Sequence, residues 1–133
     1  MIKVAPSILA ADFNNLEKEI NLINNTNSDY IHCDIMDGHF VPNISFGPDI
    51  VKNIKKISSK KLDVHLMIKN IVQYIDPFIE AGANNITFHI EADKNPIDII
   101  KKIKESNIRV GIALKPNTGI QEIFNILEII DLV

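Results

Sequence analysis

Short apolar runs rich in valine and isoleucine alternate along the chain with longer segments whose apolar residues return every three or four positions, the pattern of successive βα units. The first strand is expected over 3–9. A helix follows from about Asp12, a suitable N-cap, and carries Phe13, Leu16, Ile20 and Ile23 on its apolar stripe. The second strand runs from about Tyr30 to Met36. A long loop, DGHFVPNISFG, then leads to a helix opening near Pro48, whose missing N–H would have no partner in a first turn. Ile50, Val51, Ile54 and Ile57 form that helix's buried face. Leu62 to Met67 is the third strand. The third helix, about Ile71 to Glu80, contains Pro77, which predicts a kink or restart, and stops at Ala81-Gly82, where glycine takes a left-handed cap at little cost. Asn85 to Ile90 is the fourth strand, followed by a helix over 96–105 that buries Ile97, Ile100 and Ile103. A fifth strand over 108–114 and a fifth helix over 120–129 complete the series, and Asp131-Leu132-Val133 reads as the opening of a sixth strand.

Predicted strands start about every 26 residues. Eight such units need roughly 205 residues, the low end of the β/α barrel range. A chain of 133 residues therefore holds about five units. With no linker and no shift in composition, residues 1–133 are expected to form one partial barrel domain, with the C-terminal units absent. A doubly wound open sheet is the structural rival, but the first βα turn, PSILAADF, lacks the glycine-rich nucleotide fingerprint of that fold.

Composition narrows the class. Apolar residues make up 46% and charged residues 23% of the chain, as in an ordinary globular domain. No apolar run reaches the roughly 18 residues of a membrane span, and the chain meets Asp12 before a secretory leader is complete. The expected location is therefore the cytoplasm, and the lone Cys33, which can form no internal disulfide, agrees with a reducing compartment. A net charge of −3 gives no basic field for nucleic acid, and the pairs Lys60-Lys61 and Lys101-Lys102 read as solvated helix ends.

Candidate chemistry concentrates in IHCDIMDG. Strand alternation puts His32, Asp34 and Met36 on one face, with Cys33 and Ile35 on the other. The next strand repeats the arrangement with His65 and Met67. Two imidazoles and a carboxylate near the C-terminal ends of adjacent parallel strands suit a three-ligand divalent metal site with open positions, at the end where barrel active sites lie. On spacing alone, satisfied polar residues explain the pattern as well, Met36 and Met67 serve as core filler, and Cys33 is an inert buried thiol. His89 and Glu91 can face the same mouth or be structural. Asp37, His39 and Asn43 suit loop stabilisation as well as substrate contact.

APSILAADF, HCDIMDGHFVPNISFGP, DVHLM and ALKPNT together resemble the ribulose-phosphate 3-epimerase family across the whole chain. The resemblance implies a (β/α)8 TIM barrel of the ribulose-phosphate-binding type, here truncated after about five βα units. It also implies interconversion of D-ribulose 5-phosphate and D-xylulose 5-phosphate in the pentose phosphate pathway, by proton transfer at C3 through an enediolate. His32, Asp34 and His65 become ligands of one divalent metal ion, zinc foremost, with iron, manganese or cobalt as alternatives. Asp34 is also the proton acceptor, while Ser7, His65, Met36 and Met67 contact substrate, the methionines packing against the planar intermediate. One carboxylate serving both jobs creates a tension, since coordination lowers basicity, unless one oxygen coordinates and the other stays free.

In the family, the second acid lies on the seventh strand and glycine-rich loops after strands six to eight grip the phosphate. The 133-residue chain alone is therefore expected to be catalytically incomplete, and the full-length protein a homo-oligomer. The partner is a ketopentose phosphate, with no nucleic acid and no membrane. Two alternatives are an epimerase for a hexulose phosphate and a noncatalytic half barrel that binds metal or a partner through open edges. Related decarboxylases and aldolases carry D-x-K-x-x-D, which Asp34-Ile35-Met36-Asp37 does not match.

Overall fold

Extended β-branched runs and amphipathic helices alternate as their periodicities require in the computed structural model, which describes residues 2–133. In chain order the elements are α1 (Leu16–Asn24), β1 (Tyr30–Met36), α2 (Pro48–Ile57), β2 (Lys61–Met67), α3 (Ile75–Glu80), β3 (Asn85–His89), α4 (Pro96–Glu105) and β4 (Arg109–Ala113). The strands pair in parallel in the order β1-β2-β3-β4. A doubly wound sheet would reverse its order at a switch point. This sheet does not, so the α/β fold is consistent with a β/α barrel.

Each face of the sheet has its own chemistry. Ile31, Cys33 and Ile35 of β1, Leu62, Val64 and Leu66 of β2, Ile86 and Phe88 of β3, and Val110 and Ile112 of β4 are all buried in one core with Ile20, Val51, Ile54, Ile99, Ile100 and Ile103 of the helices. The opposite face carries the polar residues. Registers place His32 beside Asp63, Asp34 beside His65, Met36 beside Met67 and His65 beside Thr87. Gly111 faces Thr87, and a Cβ there would overlap the Thr87 hydroxyl, so this packing demands glycine.

Several boundaries depart from the sequence expectation. The segment over 3–9 contributes only a short edge: the Val4 and Pro6 carbonyls accept from the Tyr30 and His32 amides, Ser7 bridges His32, and Ile8–Ala10 turns into a 3₁₀ helix. Pro6 has no N–H to extend the ladder. Asp12 does cap, accepting from the Asn14 amide at 3.0 Å, but the turn it starts is 3₁₀ (Phe13–Asn15), and Phe13 is half exposed against Phe46. The third helix restarts at Tyr74, between a 3₁₀ turn (Ile71–Gln73) and α3. Pro77 falls in the first turn of α3, where its missing N–H costs little. Gly82 has the expected left-handed conformation, φ +98°.

In α4 the buried residues are Ile99, Ile100 and Ile103, while Ile97 is exposed, because the stripe centred on Ile100 and Ile103 extends through Ile99. Lys61 opens β2 and Lys60 lies in the bend before it, so this pair does not end a helix. The expected fifth α-helix is two 3₁₀ turns, Ile120–Ile123 and Leu127–Ile129. Its isoleucines at 120, 123, 126 and 129 recur every third position, matching three residues per turn, and Ile123 and Ile126 are buried. Beyond them the Asp131 amide donates to Val110 and the Leu132 carbonyl accepts from Ile112, pairing the predicted sixth strand with β4. No helix among the described residues is long and apolar enough to cross a membrane.

Candidate active site

Neighbouring parallel strands carry side chains at matching heights onto the same face, and this register assembles the polar cluster. His32 Nε2 lies 3.2 Å from Asp34 Oδ1, and His65 Nδ1 lies 3.5 Å from the same oxygen. One ligating atom from each of His32, Asp34 and His65 falls within 4.8 Å of the others. The other Asp34 oxygen, Oδ2, accepts from the Ser7 hydroxyl at 2.5 Å. Ser7 is held in turn, because its Oγ also accepts from the Leu9 amide at 3.2 Å as the cap of the following 3₁₀ turn.

Asp63 is absent from the sequence candidates, yet it orients the cluster. Its Oδ2 pairs with His32 Nδ1 at 2.8 Å and its Oδ1 accepts from the Asn85 amide, which also contacts Thr87 Oγ1. A carboxylate on one nitrogen of an imidazole leaves the other for a metal, the usual support of a ligating histidine. Alternation along Asp63-Val64-His65 already places Asp63 on the His65 face, so this signal was available in the chain.

The charges in the cluster reinforce one another. Burial opposes protonation of His32, but hydrogen bonds to Asp34 and Asp63 outweigh it and raise its pKa from 6.5 to about 9. Hydrogen bonds from His32 and His65 hold the Asp34 carboxyl well below the usual carboxylate range, against the cost of burial. In the metal-free protein His32 thus contributes stability that is full below pH 6.5 and is lost as the pH rises through about 9. An NMR titration of the metal-free chain should show a His32 midpoint near 9, falling toward 6.5 in Asp63→Asn. An unsubstituted midpoint at or below 6.5 would mean the ion pairs do not form.

The two imidazoles and the carboxylate fit a divalent cation. They provide two neutral-nitrogen donors and one anionic oxygen, with the His32 tautomer selected from behind by Asp63. Met36 and Met67 face each other at the C-terminal ends of β1 and β2 on the same face, and the Asn43 amide contacts the Met36 sulfur at 3.4 Å. Cys33 points to the helices, buried, with its thiol pushed up to about 12, which suits an inert core residue. Asp37 stabilises its loop, accepting from the His39, Phe40 and Lys69 amides. His89 reaches the mouth and stacks on His65, whereas Glu91 lies behind it, accepting from the Lys115 amide.

Residues 3–133 match the model of the "Ribulose-phosphate 3 epimerase family". The chain is 46% identical to a ribulose-phosphate 3-epimerase of Bacillus subtilis (strain 168) over 133 residues, 100% of this chain and 61% of that protein. It is 41% identical to the ribulose-phosphate 3-epimerase of Eremothecium gossypii, over 97% of this chain and 59% of that protein. The ribulose-phosphate 3-epimerase of Oryza sativa subsp. japonica described as a cytoplasmic isoform is also 41% identical, over 95% of this chain and 56% of that protein. The chain thus spans 56–61% of the length of these curated relatives.

Proposed function

Since the chain belongs to the ribulose-phosphate 3-epimerase family, we propose that its residues form the Asp34 face of a proton transfer at C3, between D-ribulose 5-phosphate and D-xylulose 5-phosphate. One observation carries the reading: the two oxygens of Asp34 have different neighbours. Oδ1 faces His32 and His65, while Oδ2 lies on Ser7. The same carboxylate therefore serves a metal with one oxygen and a substrate proton with the other.

The ion that His32, Asp34 and His65 would hold, zinc by preference, supplies Lewis-acid stabilisation for the negative charge that develops on the C2 carbonyl oxygen. Asp34 takes the C3 proton as general base. His32 and His65 hold its carboxyl below the usual range, and a cation on Oδ1 would likewise keep it ionised and a weak base. The driving force must then come from stabilising the enediolate and from exact placement of the C3 proton. The Ser7 hydroxyl donates to Oδ2 and fixes its direction before substrate arrives. Met36 and Met67 form an apolar wall against the planar intermediate, excluding water and adapting to its shape. The cytoplasm is the proposed location.

Inversion also needs a proton delivered to the opposite face of C3. Asp34 serves one face, so exchange of the C3 proton with solvent reads its role directly. Incubation with D-ribulose 5-phosphate and Zn²⁺ in D₂O, followed by proton NMR, tests the reading. Deuterium should enter C3 well above the rate with Zn²⁺ alone. A rate equal to that blank would sink the proposal.

A further inference from the structure

We propose that His89 is the positioning residue for His65, its stacked ring replacing the hydrogen bond that holds His32; this rests on the metal-centre reading above. The two histidines of the cluster are anchored unequally. His32 is fixed through both nitrogens, by Asp63 on Nδ1 at 2.8 Å and by Asp34 beside Nε2. His65 has only the Asp34 contact at Nδ1, and its Nε2 is buried without a hydrogen-bond partner among the described residues. An imidazole tethered at one nitrogen can rotate about χ2, a broad torsion, and so lose the direction of its lone pair. Ligating histidines normally prevent this through a hydrogen bond from the second nitrogen.

The missing restraint is met by aromatic packing. The rings of His65 and His89 lie 5.1 Å apart between centroids and only 21° from parallel. Phe40, from the loop between β1 and α2, packs on His89 at 5.1 Å and 50°. The Lys115 ammonium caps that ring 4.0 Å from its centroid. His65, His89, Phe40 and Lys115 thus form a column running from the cluster to solvent. The strand register makes room for it: His65 pairs with Thr87, so His89 stands one rung nearer the mouth on the same face, and its partner on β4 is the small Ala113.

His89 has Glu91, not His65, as its polar neighbour. Its side chain is 12% exposed, and Nδ1 sits 3.4 Å from Glu91 without making a hydrogen bond. What it offers His65 is a flat face. A ring with no nitrogen should therefore do the same work, which separates positioning from any polar role.

The test compares His89→Ala and His89→Phe in the 133-residue chain. Co²⁺ affinity is measured by competition with a chromophoric chelator, and the His65 ring-proton resonances are measured by NMR in metal-free protein. His89→Ala should weaken Co²⁺ binding by about tenfold or more, the usual effect of losing a ligand's support. It should also shift the His65 resonances downfield as the stacked ring's current disappears. His89→Phe should restore both. Co²⁺ affinity unchanged in His89→Ala, or no rescue by His89→Phe, would overturn the proposal. Failure of the unsubstituted chain to bind Co²⁺, with the His65 resonances still responding as expected, would remove the metal centre and leave the stack standing.

Discussion

Asp34→Asn should cut exchange of the C3 proton of D-ribulose 5-phosphate by about 10²–10⁴-fold, the usual contribution of a positioned general base. That range corresponds to roughly 3–5 kcal/mol of barrier. The substitution conserves shape but removes both proposed functions of the carboxylate. An amide cannot accept the C3 proton at the Oδ2 position, and it puts a neutral group beside His32 and His65 where Oδ1 is now an anion. It also strips His32 of one of the two carboxylates that raise its pKa. The control is a urea melt of the variant, which should show a cooperative fold. Exchange retained within about tenfold of the unsubstituted rate would move the base to another residue.

Phe88→Ala should lower the unfolding free energy by about 3–5 kcal/mol, the range for removing a buried phenylalanine from a close-packed core. Phe88 is fully buried on the helix-facing side of β3, between Leu66 and Ile112 in register. Those neighbours sit on β-strands and cannot collapse into the cavity without breaking the ladder, so little of the loss is recovered. A urea midpoint reduced in proportion, at unchanged slope, is the expected result. A change under about 1 kcal/mol would mean that the helix layer is not packed against β3 as described. The same residue tests how the fold divides its work, because its neighbour His89 projects to the opposite, polar face.

Much of this architecture was legible because the strands speak in period two and the helices in periods three and four. The run Tyr30–Met36 is a strand at the predicted bounds, and the α4 bounds also agree. Alternation put His32, Asp34 and Met36 together, and the family resemblance selected those residues from the many polar groups along the chain. Legibility failed where local preference and tertiary packing disagree. The isoleucines after Gly119 read as an α-helix, but their spacing of three and their seat against the core favour 3₁₀ turns. Pro77 drew the predicted kink to itself, whereas the break lies one turn earlier, at Tyr74, which leaves Pro77 in the first turn of α3 where its lost N–H is harmless.

By itself the sequence determined which residue types lie on each side of each strand, because side-chain direction follows from the backbone alone. It also determined the family, through motifs distributed over the whole chain. Only the tertiary structure decided the partnerships: Asp63 behind His32, Ser7 on one oxygen of Asp34, and His89 flat against His65. These pairs join residues 24 to 31 positions apart. Their distances depend on strand register and on the burial of Phe88 and its neighbours, which periodicity along one segment does not encode.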